Sequence, residues 1–477
     1  MTQESRNKPA DISRRGFIAS ATAGIASASF ASGALARQAE TESSEAYDVV
    51  VIGGGFAGVT AARDASWRGH KTLLLEARPR LGGRTFTSSF GGHDDVDLGG
   101  KWLGWSQPHV WSEVMRYDVE IGESAGASAT RAIWMDKGKR VEGGMDQYGA
   151  MFENAVKTFY APSQEAFPRP FDPLFSDAKF ELDAVTAAEA IEKLDLSDVE
   201  RGLATSLATI NGHASPTESS YLDQLRWFSL GDFDVANLWN NLGRYRIKGG
   251  TKKLIDAIHA DGQAELKLNS PVASVEQQGS AVRVTTKRGQ VYSGKTVIVA
   301  VPLNCVTDIE FSPAISSAKM RVSKERHTGS GTKVYSRIKA GHPVIMGHGT
   351  KDLPLCFLWT EYDDPDSQIM VGFGGSPDLL DINDDDAVAD AVHRYLPDSE
   401  LIESFGYDWN LDPYSKGTWC MYRPNVLTES LEELQRPEGN VFFAGSDIAN
   451  GWRGFIDGAV ESGSRTAKIV DRHLSAA

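Results

Sequence analysis

Residues 47–77 read YDVVVIGGGFAGVTAARDASWRGHKTLLLEA and carry the strongest structural signal in the chain. Residues 48–52 are a nearly continuous run of apolar, β-branched side chains, which is typical of a buried parallel strand. Three glycines follow at the spacing G-x-G-x-x-G, namely Gly53, Gly55 and Gly58. Helical character over residues 59–67 and a second strand over 71–75, ending at Glu76, complete the pattern. A lone G-x-G-x-x-G is weak evidence, but these parts in this order predict a βαβ unit that binds a dinucleotide.

The three glycines allow the backbone to approach a pyrophosphate at the helix N-terminus, and Glu76 can accept a hydrogen bond from a ribose hydroxyl. Two further glycine-led segments follow, RLGGRT at 80–85 and DLGGKW at 97–102. In the first of them, the glycines offer close approach and Arg84 offers a positive charge to the same pyrophosphate. Each segment on its own is equally consistent with an ordinary turn.

Composition limits the function classes. A chain of 477 residues is long enough for two or three domains. Its formal net charge of −15 argues against nucleic-acid binding, which demands a basic face. The three cysteines, Cys305, Cys356 and Cys420, form no disulfide pattern, and the ten histidines form no metal-binding motif, so we expect no metal site. Outside the N-terminal leader no run reaches ~18 apolar residues, so we expect no membrane span.

The N-terminus has the three parts of an export signal. Residues 13–18 read SRRGFI, an Ala/Ser/Gly-rich stretch follows, and residues 34–36 form a small-x-small cleavage site. This order predicts a twin-arginine signal peptide over residues 1–36, followed by a linker over 37–46. We therefore expect a periplasmic protein that is exported in the folded state.

The rest of the chain alternates between two kinds of segment. Residues 124–243 are predicted to be mainly helical, whereas residues 264–303 alternate like a β-meander. NVFFAG at 440–445 repeats the strand-to-glycine pattern, and a closing helix is predicted over 455–470. The resulting prediction is a discontinuous dinucleotide-binding domain with a second domain inserted twice. The first comprises residues 47–123, 244–318 and 417–477, and the second 124–243 and 319–416.

Several motifs together resemble the FAD-dependent monoamine oxidase family, across essentially all of residues 47–470. They are GGGFAG, EARPRLGGRT, DLGGKW, KGG, SPV and FFAGSDIANGWRGFIDGAVESG. The resemblance implies an α/β fold with a Rossmann-like FAD-binding domain of the monoamine oxidase type and an inserted α+β substrate domain. It also implies FAD as the cofactor, held by Gly53, Gly55, Gly58, Glu76, Ala77, Arg78, Gly83, Arg84, Gly100, Lys101, Trp102, Val272, Gly445, Ser446, Asp447, Trp452, Gly454 and Ile456. The helix that opens at 454–456 would aim its amides at the flavin ring, where reduction places negative charge.

The segment YSKGTWCMY, residues 414–422, bears on how FAD is held. Some family members attach FAD through a cysteine in a Ser-Gly-Gly-Cys-Tyr segment. Laid on this chain, the cysteine position is Thr418, and Cys420 falls two residues late on the same face if the segment is a strand. The resemblance therefore implies noncovalent FAD and a structural role for Cys420.

The resemblance also names the predicted catalytic residues. Trp419 and Phe455 match the two tyrosines that flank the amine in front of the flavin in animal members, and two aromatic faces suit an amine by packing and cation–π attraction. Lys333, in GSGTKVY, falls on the family lysine that positions a water at flavin N5. Without the resemblance, Lys333 is equally a surface lysine on a strand, and a Trp-Cys pair is most often core packing.

The implied activity is flavin-dependent oxidative deamination of a secondary amine. The narrowest expectation from the resemblance is pseudooxynicotine, oxidised to a pyridyl semialdehyde with release of methylamine. Nicotine is the nearest alternative, followed by broader monoamine, polyamine or amino-acid substrates, and then by a non-catalytic flavin-bearing protein that binds an amine. The electron acceptor stays open between oxygen and a periplasmic cytochrome, and a homodimer is compatible with the sequence.

Overall fold

The computed structural model describes residues 41–476. The predicted signal peptide at residues 1–36 lies outside the described residues. Residues 41–46, predicted as linker, instead form the first half of a strand that runs to Ile52. That half pairs in parallel with the strand beginning at Gln290.

Short strands and helices alternate along the described chain. In chain order, the strands are β1 (Thr41–Ile52), β2 (Thr72–Leu75), β3 (Thr87–Phe90), β4 (His93–Asp97), β5 (Trp102–Leu103), β6 (Ile121–Glu123), β7 (Arg131–Asp136), β8 (Lys139–Gly144), β9 (Tyr245–Ile247), β10 (Glu265–Lys267), β11 (Val272–Gln278), β12 (Ala281–Thr286), β13 (Gln290–Val299), β14 (Glu310–Ser312), β15 (Thr332–Lys339), β16 (Ile345–His348), β17 (Phe357–Asp363), β18 (Ser367–Gly374), β19 (Leu401–Gly406) and β20 (Val441–Phe443). The helices are α1 (Phe56–Trp67), α2 (Pro108–Arg116), α3 (Met145–Phe159), α4 (Ser163–Ala166), α5 (Ala187–Glu192), α6 (Asp198–Gly212), α7 (Tyr221–Leu230), α8 (Val235–Trp239), α9 (Thr251–Ala260), α10 (Ser317–Glu325), α11 (Asp385–His393), α12 (Val426–Gln435) and α13 (Ile456–Ala476).

The predicted βαβ unit is present and forms the centre of the first sheet. This sheet has the strand order β10-β2-β1-β13-β12-β11-β14, with β20 also beside β13. Strands β10, β2, β1, β13 and β20 run parallel, whereas β11, β12 and β13 form the antiparallel meander predicted from the sequence. Val49 to Val51 and Leu73 to Leu75 are buried, as expected for strands covered on both faces.

Two glycines set the approach of α1 to this sheet. Gly53 has φ +107°, and a Cβ there would lie 2.6 Å from the Ala300 carbonyl oxygen. A Cβ on Gly58 would lie 1.8 Å from the Gly53 carbonyl oxygen. Only glycine therefore allows α1 to begin directly at the end of β1.

The second sheet has the strand order β19-β15-β18-β17-β16-β7-β8. The prediction that residues 124–243 are mainly helical is wrong for the start of that segment, because β7 and β8 form an antiparallel hairpin there. Lys137 and Gly138, both with positive φ, make the two-residue turn that favours such a hairpin. Helices α3 to α8 occupy the rest of the segment.

The two sheets draw their strands from different segments of the chain. Apart from the first residues of β1, every strand of the first sheet lies within residues 47–123, 244–318 or 417–477. Every strand of the second sheet lies within 124–243 or 319–416. This distribution supports the predicted division into a cofactor domain and a substrate domain, which stays a proposal. In the part of the chain that the structure describes, no helix is long and apolar enough to cross a bilayer.

Candidate active site

A cavity of about 290 Å³ is lined by residues from both sheets. Its lining has two parts of different chemistry. The glycine-rich part contains Gly53, Gly55, Glu76, Ala77, Arg78, Gly83, Arg84, Val272, Gly445 and Ser446. The aromatic part contains Trp102, Trp227, Trp239, Phe357, Trp359, Phe373, Trp419 and Phe455, together with Lys101 and Lys333.

The two predicted glycine loops meet in the glycine-rich part. Gly55 forms a bridge with Gly82, and a Cβ on Gly83 would lie 3.1 Å from the Gly55 Cα atom. The segment RLGGRT therefore does return to the first loop, as proposed from the sequence. Gly55 is the N-cap of α1 and provides no side-chain cap, so the first amides of the helix are left to bind an anion.

Glu76 is buried beside these loops. Its Oε2 accepts a hydrogen bond from the Gly54 amide at 2.5 Å, and its Oε1 accepts one from the Arg78 amide at 2.7 Å. Burial raises the pKa of Glu76, although both amide bonds act in the opposite direction. Each carboxylate oxygen keeps a further lone pair, so Glu76 can still accept from a ribose hydroxyl at the cavity wall.

The two arginines predicted to hold FAD line the cavity, and both are already paired with carboxylates. Arg78 Nη2 lies 2.6 Å from Asp412 Oδ1, and Arg84 Nη2 lies 2.5 Å from Asp447 Oδ1. Arg84 also donates to the Thr418 carbonyl oxygen at 2.8 Å. Burial alone would raise the pKa of Asp447, yet Arg84, with smaller contributions from His327 and the Leu303 amide, lowers the pKa below its usual value. Arg84 thus joins the RLGGRT loop to the segment that carries Trp419.

Three of the predicted cofactor residues do not line the cavity. Gly58 packs against the Gly53 carbonyl, and Asp447 forms an ion pair with Arg84. Trp452 meets Phe455 edge-on at 5.0 Å and donates its Nε1–H to the Ser106 carbonyl oxygen at 2.7 Å. The sequence could not separate these residues from those that line the cavity, because a residue that lines it and a residue that only packs behind it are neighbours in the same motif.

Lys333 is buried in the aromatic part, so the alternative of a surface lysine is wrong. Its Nζ donates to the carbonyl oxygens of Asp97 at 2.7 Å and Gly99 at 2.9 Å. The same Nζ lies 4.7 Å from the centroid of the Trp102 ring. Burial, reinforced by the positive charge of Lys101, lowers the pKa of Lys333 to about 7.

Lys101 is a second buried lysine, but it has a carboxylate partner. Its Nζ lies 2.7 Å from Glu361 Oε1, and both side chains are fully buried. Glu361 also accepts hydrogen bonds from Ser124 Oγ at 2.9 Å and Trp359 Nε1 at 3.0 Å. Of the two lysines, Lys333 is bound by neutral carbonyls and is therefore the one suited to exchange a proton.

The two predicted aromatic walls line the cavity and are fixed by different neighbours. Trp419 donates its Nε1–H to the Asn211 carbonyl oxygen at 2.9 Å. Phe455 is held edge-on by Trp227 at 4.8 Å between centroids. Both rings thus have defined orientations before any substrate binds, and their joint action on an amine stays a prediction.

Thr418 lines the cavity, whereas Cys420 does not. Residues 416–419 are bends and residues 420–423 form neither helix nor strand, so the condition for the two side chains to share a strand face is not met. Cys420 Sγ lies 4.0 Å from the Asp447 carbonyl oxygen, and burial raises the pKa of its thiol well above the usual value. These features agree with a structural thiol.

His213 is a site residue that the sequence motifs did not reveal. It lines the cavity, and its Nε2 lies 3.1 Å from the Thr332 carbonyl oxygen, so Nε2 carries the proton. Nδ1 then accepts from the Thr418 hydroxyl at 2.7 Å. Burial lowers the pKa of His213 to about 3, so the ring is neutral. A single histidine after a helix carries no periodic signal that could have indicated this role.

Comparison with known proteins covers nearly the whole chain. A sequence profile of the family described as flavin containing amine oxidoreductase matches residues 56–471. Pseudooxynicotine dehydrogenase from Pseudomonas sp is 42% identical over 480 residues, which cover 97% of this chain and 96% of the relative. Nicotine dehydrogenase from Pseudomonas putida is 36% identical, with 97% of this chain and 98% of the relative covered.

Solved structures show the same fold. Putrescine oxidase bound to putrescine aligns with a TM-score of 0.78 at 20% identity, covering 89% of this chain and 99% of that one. Cyclohexylamine oxidase from Brevibacterium oxydans aligns with a TM-score of 0.76, also at 20% identity, and covers 90% and 99% of the two chains. The predicted fold class is therefore confirmed.

Proposed function

Because the chain belongs to the flavin-containing amine oxidoreductase family, we propose that it oxidises a secondary amine at the carbon next to nitrogen. Pseudooxynicotine is the preferred candidate substrate, because a relative named for it is 42% identical over 97% of this chain. Loss of a hydride equivalent from the substrate gives an iminium ion, and water converts this ion into a pyridyl semialdehyde and methylamine. Nicotine is the second candidate, supported by the relative at 36% identity.

One observation carries the proposal: the glycine-rich loops and the aromatic walls line the same cavity. A dinucleotide held at Gly53, Gly55 and Glu76 would extend toward the rings of Trp419 and Phe455. An amine between those rings would then face the cofactor.

The residues present fit FAD held without a covalent bond. Gly53, Gly55 and Gly83 leave the wall free of side chains, and no side chain caps the first amides of α1, which leaves them free to bind the pyrophosphate. Thr418 occupies the linkage position, and the Cys420 thiol is not part of the wall. When bound, FAD supplies the electron-accepting ring for amine oxidation.

The aromatic part favours a neutral, apolar amine. Among the described residues that line the cavity, the only carboxylates are Glu76 and Asp308, and the only arginines are Arg78 and Arg84. Glu76, Arg78 and Arg84 belong to the glycine-rich part, and Asp308 forms an ion pair with Lys416. Polyamines need carboxylates at the substrate end, and amino acids need an arginine there, so both are disfavoured. The flat walls instead orient the amine by packing and exclude bulk water.

Lys333 has the position and the proton affinity to serve the reaction. Near neutral pH its Nζ is partly deprotonated, because its pKa is about 7. A neutral Nζ avoids placing a full positive charge beside a substrate carbon that becomes cationic. It can also hold a water molecule by a hydrogen bond, which supports the role proposed from the family.

We also propose that the protein works in the periplasm. The support is the leader with its paired arginines at residues 14 and 15, which is typical of proteins exported after folding around a cofactor. Oxygen and a periplasmic cytochrome are the candidate electron acceptors. Cell fractionation with and without an Arg14→Lys, Arg15→Lys leader tests the location, and loss of the protein from the periplasm only in the variant is expected.

Anaerobic mixing of the purified holoenzyme with a panel of amines tests the function. Pseudooxynicotine should bleach the flavin absorbance fastest, nicotine more slowly, and putrescine or an amino acid least. Mass spectrometry should then find the semialdehyde and methylamine in equal amounts. If no amine bleaches the flavin, the proposal of an amine oxidase activity fails; if nicotine is fastest, the second candidate replaces the first.

A further inference from the structure

His348 is an unexplained polar residue in the aromatic part of the cavity. It is the last residue of β16, only 2% of its surface is exposed, and it lines the cavity. Its imidazole packs against Phe357 at 4.4 Å, Phe152 at 5.3 Å and Tyr148 at 5.7 Å between centroids. Nothing in the proposed reaction uses this ring.

His348 lies at the end of the aromatic wall that is remote from Trp419. Successive ring contacts connect the two: Trp419 to Phe373 at 6.0 Å, Phe373 to Trp359 at 5.4 Å, Trp359 to Phe357 at 4.7 Å, and Phe357 to His348 at 4.4 Å. An amine that lies along this row of rings, with its nitrogen at Trp419, would have its far end near His348.

The hydrogen-bond chain behind His348 leaves one ring nitrogen free. Nδ1 lies 3.2 Å from Ser206 Oγ, and Ser206 Oγ donates to the Cys356 carbonyl oxygen at 2.9 Å. Ser206 has one hydroxyl proton, so both bonds exist together only if Nδ1 carries the imidazole proton. Nε2 has no hydrogen-bond partner among residues 46–476. Burial lowers the pKa of His348 to about 3, so the ring is neutral.

The tautomer of His348 can also reverse. The Cys356 carbonyl oxygen accepts a second hydrogen bond from the Gly349 amide at 2.9 Å, so it stays satisfied if the Ser206 hydroxyl turns toward Nδ1. Nε2 then carries the proton and becomes a donor. The cost is one hydrogen bond to an oxygen that keeps another, which is small beside leaving a buried acceptor on the ligand unpaired.

The cavity lining near His348 is mainly apolar, although the buried Tyr148 hydroxyl has no hydrogen-bond partner among the described residues. Helices α3, α6 and α8 contribute apolar side chains to the cavity wall, namely Phe152, Val156, Leu207, Ile210, Val235 and Leu238. The polar exception on α6 is Asn211, whose carbonyl oxygen binds Trp419 at the other end of the wall. A flat ring fits among these groups, and one ring heteroatom can meet Nε2.

We propose that His348 Nε2 donates a hydrogen bond to the ring nitrogen of a heteroaromatic amine, so that this end of the cavity selects pyridyl over phenyl substrates. The inference rests on the proposed function and extends it from the amine to the distal ring. A phenyl ring at the same place has no nitrogen to accept this hydrogen bond, so Nε2 stays without a partner. His348 is thus a specificity-determining residue rather than a group that acts on the reacting carbon.

The test compares pseudooxynicotine with its phenyl counterpart, in which carbon replaces the ring nitrogen. Binding is measured by calorimetry on holoenzyme that dithionite has already reduced under argon, so no turnover occurs. The wild type should bind the pyridyl compound about two- to tenfold more tightly, the range for one neutral hydrogen bond. His348→Phe should keep the phenyl affinity within twofold and lose the preference.

Two further variants make the result specific. Phe152→Leu changes a purely apolar neighbour of His348 and should weaken both compounds equally, leaving the preference intact. His348→Leu repeats the test if the larger phenylalanine disturbs folding, with flavin content and melting temperature as checks. A preference that survives in both His348 variants, or is absent from the wild type, overturns the inference. Preference without flavin bleaching by pseudooxynicotine would instead reject the proposed function and keep this site.

Discussion

The indole of Trp419 lies parallel to the imidazole of His213, with ring centroids 3.8 Å apart and planes 8° apart. His213 is held in turn by hydrogen bonds to Thr332 and Thr418. His213, at the C-terminus of α6, thus fixes one wall of the cavity. It also fixes the hydroxyl of Thr418, the position at which some family members carry the cysteine that binds FAD. The orientation of Trp419 therefore depends on stacking against the neutral ring of His213.

We expect His213→Ala to reduce kcat/KM about tenfold, since an aromatic pair contributes about 0.5–1.5 kcal/mol beyond burial and 1.4 kcal/mol corresponds to tenfold. His213→Phe keeps the stacked ring but loses both hydrogen bonds, so its kcat/KM should fall less while its melting temperature falls. Rapid anaerobic reduction and thermal unfolding of the holoenzyme measure the two effects. Equal rates for the two variants would show that stacking does not orient Trp419.

Removing either aromatic wall should slow turnover without releasing the flavin. Trp419→Ala and Phe455→Ala should each lower kcat/KM about tenfold or more, because the amine loses a packing face and its orientation. Phe455→Tyr keeps the face and should be milder. The measurement is the rate per bound flavin, together with a melting curve. Unchanged rates per flavin with lower melting temperatures would assign both rings to core packing.

Acid precipitation should leave the yellow flavin in the supernatant, since Thr418 stands at the linkage position and Cys420 lies outside the cavity lining. Cys420→Ser should keep the flavin content and the absorbance spectrum of the wild type. Thr418→Cys is the counterpart of Cys420→Ser, because it places a thiol in the cavity wall at the position where some family members attach FAD. Flavin that remains on a Cys420 peptide after digestion would contradict noncovalent binding.

The fold could be predicted because its signal is local. The order of β1, the glycines, α1 and β2 lies within residues 47–77, where hydrophobic pattern and glycine spacing agree. The sequence analysis did not predict the β7–β8 hairpin, although the Lys137-Gly138 turn between its strands is a local signal. The place of the hairpin in the sheet depends on β7 pairing with β16, which lies about 200 residues later in the chain. Local pattern does not encode such a partner.

The candidate site could be predicted only where family motifs cover it. Gly53, Glu76, Lys333 and Trp419 fall within recognisable motifs and line the cavity. His213 and His348 fall in segments whose patterns indicate helix and strand alone, and their roles arise from neighbours distant in sequence. Trp359 and Phe373 likewise have the pattern of core strand residues, since a cavity wall and a core surface have the same composition.

Asp223 should be essential for stability, because it joins the segments that carry both aromatic walls to α7. It accepts hydrogen bonds from Arg453 Nη1 at 2.6 Å, Arg226 Nη1 at 3.1 Å and the Tyr422 amide at 2.7 Å. Asp223→Asn leaves two buried guanidinium groups without a counter-charge, so the free energy of unfolding should fall by about 3 kcal/mol or more.

Glu153→Gln is the matched control for Asp223→Asn, because Glu153 pairs with Lys157 on the surface and should cost about 1 kcal/mol or less. Urea unfolding of both variants with FAD bound gives the comparison. Similar losses in the free energy of unfolding for the two variants would mean that the buried cluster around Asp223 does not hold the two wall segments together.

The final prediction concerns the buried amine of Lys333. Its pKa lies near 7, because burial and the nearby charge of Lys101 both disfavour the protonated form. The rate of flavin reduction at saturating amine should therefore rise with pH through about 7, as the positive charge beside the reacting carbon is lost. Lys333→Met should retain FAD and show no inflection in that range. Lys339→Met is the matched control, since Lys339 lies on the same strand and is more than half exposed.

Stability should change with pH by the same titration. The folded protein binds the Lys333 proton less tightly than the unfolded chain does. Between pH 7 and ~10.4 the unfolded state therefore carries more protons than the folded state. The free energy of unfolding of the wild type should rise with pH over this range. Lys333→Met lacks this gain. Its advantage in melting temperature over the wild type should be largest near pH 6 and shrink toward pH 9, measured with FAD bound. A difference that stays constant with pH, together with an unchanged rate profile, would show that Lys333 keeps its proton throughout and does not tune the reaction.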